Sequence, residues 1–123
     1  MALASNAQDS TYVKSVYFGG GSYWVTPDQA SEVEKFIDKF EDFEHYEVSI
    51  ASYTDNRGGY EYNKWLSEMR SFTVLEHLLQ KNVPREKIFL KSNGQENSTY
   101  TNRSRMGRGG NRRVDIIILP IVM

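Results

Sequence analysis

Residues 114–119, Val-Asp-Ile-Ile-Ile-Leu, constrain this chain more than any other stretch. Their β-branched side chains are stiff at χ1 and pack well on a pleated surface, so the run reads as a buried central strand. Neighbours for it are visible upstream. Residues 12–18 alternate and are rich in β-formers, which predicts a strand ended by Gly19-Gly20-Gly21-Ser22. Tyr46, Val48 and Ile50 alternate with Glu47, Ser49 and Ala51, a half-buried strand that runs into the polar stretch Tyr53-Thr54-Asp55-Asn56-Arg57-Gly58-Gly59. Residues 88–91 make a short further strand.

Two helices separate these strands. Thr26-Pro27-Asp28-Gln29 starts one, with Thr as N-cap, Pro at the first helical position and Gln three residues after the cap. Ala30, Val33, Phe36, Ile37 and Phe40 then recur at helical spacing, predicting a helix over 27–41. A second helix is predicted over 60–81, buried through Leu66, Val74, Leu75 and Leu78 and stopped by Asn82 and Pro84. Residues 92–112 are polar and show no periodicity; loops this long in compact domains usually carry function or are disordered. The order β-α-β-α-β-β implies a two-layer α+β domain over 12–123, helices packed on a mixed sheet, preceded by a flexible lead-in at 1–11.

Composition narrows the chemistry. A length of 123 residues fits one domain and is too short for an enzyme with separate substrate and cofactor lobes. With no cysteine there is no disulfide, thiol nucleophile, thiolate metal site or lipid-bearing cysteine in these residues. His45 and His77 stand far apart, so no metal is expected. No apolar run approaches the ~20 residues of a bilayer span, and residues 1–10 lack the basic and apolar regions of a signal peptide. Charge is unevenly spread. Residues 28–47 hold eight acids against Lys35 and Lys39, whereas residues 103–113 hold five arginines and no acid, which suggests an anionic partner or internal charge partners.

Four segments converge on one candidate site. Thr54-Asp55 lies at the carboxyl end of the second strand, where open sheets with helical crossovers place ligands. Asn63, Ser67 and Arg70 are spaced four and three apart, one stripe of the following helix. Asn111-Arg112-Arg113 lead into the last strand, and Gly94-Gln95-Glu96 follow the third. A carboxylate and a guanidinium offered together suit a zwitterionic amino-acid group: Asp55 accepts from an ammonium, and Arg70 gives a carboxylate a two-pronged donor. The plainer alternative is that Asp55 and Arg70 pair with each other. Both are expected at the sheet's rim, so replacing either should leave the fold intact. Arg112 and Arg113 are adjacent and point to opposite faces, which leaves one for the pocket.

Residues 16–118 resemble the OmpA-like peptidoglycan-binding domain found in peptidoglycan-associated lipoproteins and MotB-type stator proteins. The resemblance lies in Tyr53-Thr54-Asp55, Gly59, Tyr62-Asn63, Leu66-Ser67, Arg70, Val74 and Leu78, then Gly94, Glu96, Asn102, Gly107-Arg108 and Asn111-Arg112-Arg113-Val114. It implies that Asp55 and Arg70 hold the diaminopimelate of a peptidoglycan stem peptide. Thr54, Asn63, Asn111 and Arg112 would border the same pocket, with Arg113 structural or facing solvent. The chain departs from the pattern at Ser52, where a Gly is usual. It departs again at Asn97-Ser98, where a Pro is common, and at Gly19-Gly20-Gly21, where an acid often follows the first strand. The implied function is non-catalytic anchoring of an envelope protein to the wall, without cofactor or nucleic acid. It would take place in the periplasm of a Gram-negative cell, with other envelope proteins as partners and any membrane anchor outside these residues. The alternative is a protein-interaction domain of an envelope machine that keeps the fold without wall binding.

Other readings of the same residues are weaker. Gly19-Gly20-Gly21-Ser22 lacks the Gly-Lys-Ser/Thr ending of a phosphate cradle and reads as a turn. The arginines of 103–113 mimic an RGG-type nucleic-acid segment, but a pI near 6.1 opposes it. No histidine is spaced to activate Ser67, and no paired carboxylates or metal ligands suggest a hydrolase. Trp24 and Trp65 read as packing residues, with Trp24 also placed to line a sugar-contacting rim.

Overall fold

The computed structural model describes residues 10–55, 58–92 and 104–121. Strand β1 (Tyr12–Tyr17) is followed by helix α1 (Pro27–Ile37), β2 (Tyr46–Ser52), α2 (Tyr60–Gln80), a 3₁₀ turn (Arg85–Lys87), β3 (Ile88–Ser92), α3 (Arg105–Asn111) and β4 (Arg113–Pro120). The strands form one sheet in the order β1-β4-β2-β3. β4 is antiparallel to both β1 and β2, and β2 is parallel to β3. The architecture is the expected α+β one, with helices on a mixed sheet.

The β-branched run lies inside the sheet, as predicted, but only one of its faces is sealed. Val114, Ile116 and Ile118 are fully buried, while Leu119 on the other face is exposed. The sealed face packs with Val16, Val48 and Ile50 of the neighbouring strands and with Val33, Phe36 and Ile37 of α1 and Val74, Leu75 and Leu78 of α2.

Helix α1 starts at Thr26, whose hydroxyl accepts from Gln29 N–H. The Gln29 amide then docks on the free edge of β1, accepting from Tyr17 N–H at 2.6 Å and donating to its carbonyl at 2.6 Å. The helix ends at Ile37 rather than at 41. Lys39 and Phe40 turn tightly onto the Phe36 and Ile37 carbonyls, which swings Phe40 into an aromatic cluster with Tyr12, Phe36, Phe43 and Tyr46. Helix α2 ends as its sequence indicates. Asn82 takes φ 64°, its N–H reaches the Leu79 carbonyl, and Val83 N–H reaches that of Leu78.

A second difference lies in the polar segment. Residues 105–111 are helical, with Ser104 as N-cap accepting from Gly107 N–H at 3.0 Å. Gly107, Gly109 and Gly110 lower helix propensity enough to hide so short an element from periodicity.

Candidate functional site

Because β1 and β2 both run antiparallel to β4, the carboxyl ends of β1 and β2 meet the start of β4 at one rim of the sheet. Backbone bonds fasten the junction: Phe18 N–H donates to Arg112 O at 2.9 Å and Tyr53 N–H to Arg113 O at 2.9 Å. The first turn of α2 follows directly, with Gly59 as its N-cap.

A cavity of about 350 Å³ opens at this rim, lined by Gly20, Gly21, Thr54, Asp55, Gly58, Tyr62, Asn63, Leu66, Arg70 and Arg112. Of the residues singled out from sequence, Thr54, Asp55, Asn63, Arg70 and Arg112 are brought together in its wall. Asn111 is fully buried and is not in the lining. Ser67, buried on the same helix face, turns its hydroxyl back onto the Lys64 carbonyl. Gly94, Gln95 and Glu96 lie outside the described residues.

Asp55 and Arg70 do not form the cavity's ion pair. Asp55 Oδ2 accepts from Arg112 Nη1 at 3.0 Å, and Arg112 Nε donates to the Phe18 carbonyl at 3.1 Å. Arg70 is held by the glycine turn instead. Ser22 N–H closes that turn onto the Gly19 carbonyl, with Gly21 at φ 74°. Arg70 Nε then donates to Ser22 O at 2.7 Å and Nη2 to Gly19 O at 3.0 Å, while the guanidinium lies 5.1 Å from the centre of the Phe18 ring. The turn expected at residues 19–22 is therefore also the cradle of the site arginine, a role that no local sequence signal announces.

Arg70 is completely buried, and its Nη1 has no hydrogen-bond partner among the described residues. Burial, and next the nearby Arg112 charge, pull its pKa down to about 10, against the opposing pull of Asp55. The pair of guanidiniums therefore outweighs the Asp55 carboxylate. Such a site favours a ligand that brings a carboxylate. Thr54 adds a buried hydroxyl without a partner among the described residues, and Asn63 Nδ2 donates to the Asp55 carbonyl at 3.4 Å, tying helix to loop.

Arg113 is directed elsewhere. Its Nε lies 3.1 Å from Asp115 Oδ1, its Nη1 donates to Gly110 O, and its guanidinium stacks 4.2 Å from the centre of the Tyr53 ring. Arg112 and Arg113 thus have internal acidic partners, Asp55 and Asp115. Two residues that sequence reasoning missed stand at the cavity mouth. Gly58, at φ 88°, leaves little room for a side chain, since a Cβ would lie 3.0 Å from the Tyr62 ring and 3.1 Å from Asn63 Oδ1, and these groups would have to shift. Tyr62 itself is half exposed.

Fold and site together define a small α+β domain with a charged rim pocket between sheet and helix. The chain belongs to the OmpA family, which matches residues 17–112. It is 30% identical over 103 residues to the outer-membrane lipoprotein YfiB of Pseudomonas aeruginosa, covering 84% of this chain and 61% of that protein. It is 40% identical over 70 residues to the peptidoglycan-associated lipoprotein of Legionella pneumophila, 57% of this chain and 40% of the relative. The chain thus spans about half the length of the curated relatives it matches. Among solved structures, the peptidoglycan-associated lipoprotein from Burkholderia pseudomallei superposes with a TM-score of 0.79 at 26% identity, covering 85% of this chain and 89% of that one.

Proposed function

We propose that this domain binds peptidoglycan non-covalently through the diaminopimelate of the stem peptide, and so anchors an envelope protein or complex to the cell wall in the periplasm. The observation that carries the reading is Arg70: a fully buried guanidinium on the cavity wall, held by two neutral carbonyls, with one nitrogen unpartnered and Asp55 across the same cavity. The far end of diaminopimelate carries an ammonium and a carboxylate on one carbon. Arg70 takes the carboxylate and Asp55, steadied by Arg112, takes the ammonium. Thr54 and Asn63 complete the polar wall. Support for the wall polymer as ligand comes from the family and from relatives named peptidoglycan-associated lipoproteins. No step in this function makes or breaks a covalent bond.

Calorimetry with diaminopimelate-type and lysine-type stem peptides tests the assignment. The lysine peptide keeps the ammonium but lacks the carboxylate, so one charge-assisted bond is lost and affinity should fall roughly tenfold to a hundredfold. Equal affinity for the two peptides would show that Arg70 does not read a carboxylate. Purified sacculi that fail to retain the domain would leave a protein-interaction module as the reading of this fold.

A further inference from the structure

Beside the cavity the surface carries a row of aromatic rings that the charge chemistry does not use. Tyr62, in the cavity wall, lies 5.9 Å from Trp65; Trp65 lies 5.8 Å from Tyr23, and Tyr23 lies 6.1 Å from Trp24. Both tryptophans were read as packing residues, with a sugar-contacting rim as the alternative for Trp24; in the structure Trp24 is 63% exposed, Trp65 46% and Tyr62 47%. The row is fixed from below. Tyr23 is half-buried, and its carbonyl accepts from Thr73 Oγ1 at 2.7 Å, which ties the segment after the glycine turn to helix α2.

We propose that this row is a second subsite, a platform on which a sugar of the peptidoglycan glycan strand stacks while its stem peptide occupies the cavity. The inference rests on the proposed function above and deepens it. A pyranose ring has a face of C–H groups and a rim of hydroxyls. Tyrosine and tryptophan match that division, each offering an apolar ring face with a polar atom at its edge. Continuity with the cavity selects this occupant over an unrelated apolar partner. Diaminopimelate is the third residue of the stem, so the two preceding residues, about 7 Å when extended, together with the diaminopimelate side chain and the link to the sugar, separate the end held in the cavity from the sugar that bears the stem. That reach falls along the row, which leaves the cavity wall at Tyr62 and runs outward in steps of 5.9, 5.8 and 6.1 Å.

Trp24 and Trp65 are the chain's two tryptophans, so intrinsic emission reports on this platform alone. The experiment titrates the domain with free stem peptide and with the same peptide carrying its disaccharide, by calorimetry for wild type and for the Trp24→Ala/Trp65→Ala double variant, and by tryptophan fluorescence for wild type, which alone retains tryptophan. In wild type the disaccharide-peptide should bind about threefold to tenfold tighter than the free peptide, with a larger change in emission. The double variant should bind both ligands alike, at the wild-type affinity for free peptide, because neither tryptophan lines the cavity. Equal wild-type affinities for the two ligands would overturn the platform. So would a double variant that weakens both ligands equally, or a concentration-dependent self-association of wild type that the double variant abolishes. Free peptide that does not bind wild type, while the disaccharide alone alters emission, would overturn the cavity reading and leave the platform standing.

Discussion

Arg112 Nη1 lies 3.0 Å from Asp55 Oδ2, although the two residues are separated by 57 positions. Asp55 follows β2 and Arg112 precedes β4; with Ser52 opposite Val114 in the antiparallel register, both side chains reach the same rim. Because Arg112 engages Asp55, Arg70 keeps only neutral acceptors, the carbonyls of Gly19 and Ser22. The arrangement holds a positive charge ready at low dielectric, where a bound carboxylate is worth more than it would be in water.

Arg70 is the first residue to test. The expectation that its loss leaves the fold intact is corrected by its complete burial and its two bonds to the glycine turn. Arg70→Ala should abolish stem-peptide binding and also cost on the order of 2–4 kcal/mol of stability, as the Gly19 and Ser22 carbonyls lose their donors and a cavity opens. Arg70→Lys keeps the charge but lacks the fork that reaches both carbonyls. It should fall between wild type and alanine in thermal midpoint while still binding poorly. Unfolding curves and calorimetry on the same preparations separate the two effects.

The neighbouring arginines should part company. Arg112→Ala removes the ion pair with Asp55 and should weaken peptide binding on the order of tenfold. Arg113→Ala strands Asp115, whose side chain is 14% exposed, and bares the Tyr53 ring. Leaving a largely buried charge unpaired should cost about 2–4 kcal/mol of stability while peptide affinity holds. An Arg113→Ala protein that is fully stable but binds poorly would reverse the assignment of the pair.

Two left-handed glycines, Gly21 and Gly58, give a steric comparison. Alanine at either costs about 1–2 kcal/mol of backbone strain. At Gly21 a Cβ would meet nothing nearer than the Tyr62 hydroxyl at 3.6 Å, so strain is the whole expected effect. At Gly58 the same Cβ presses on the Tyr62 ring at 3.0 Å and on Asn63 Oδ1 at 3.1 Å. Gly58→Ala should therefore lower peptide affinity as well as stability, whereas Gly21→Ala should lower stability with a smaller loss of affinity. Paired denaturation and binding measurements check the difference.

Arg70 also sets an expected pH dependence. Its folded-state pKa of about 10 lies well below the ordinary arginine value. The folded domain therefore gives up this proton before the unfolded chain does as pH rises. The buried charge costs stability at every pH below about 10, and that cost is relieved only above it. A bound carboxylate offsets the same cost at neutral pH, so stem peptide should raise the thermal midpoint, and affinity should decline as pH passes about 10. An Arg70→Met protein should show no peptide-induced rise in midpoint at pH 7.

How much was legible in advance differs from residue to residue. The β-branched run of 114–119, the alternation around Val48 and Ile50, and the Thr26-Pro27 start of α1 are local signals, and each element formed where its signal stood. Spacing along α2 likewise placed Asn63 and Arg70 on one buried face, because a helix's period is a property of the backbone. Helix α1 was read four residues too long, since Phe40 keeps the helical period while its side chain serves an aromatic cluster. Helix α3 went unseen, its three glycines and seven residues carrying too little propensity.

What residue types and spacing determined, then, were the layers of this domain and the kinds of charged group at its rim. Which guanidinium meets which carboxylate was decided by the tertiary structure. Asp55 could pair with Arg70, in the middle of the following helix, or with Arg112, just before the last strand, and the chemistry of the side chains does not separate these choices. The antiparallel register of β2 and β4 brings Arg112 to Asp55, and a glycine turn 48 to 51 positions away takes Arg70. Long-range pairings of this kind depend on how strands close into a sheet, and that closure is a property of the whole chain rather than of any segment of it.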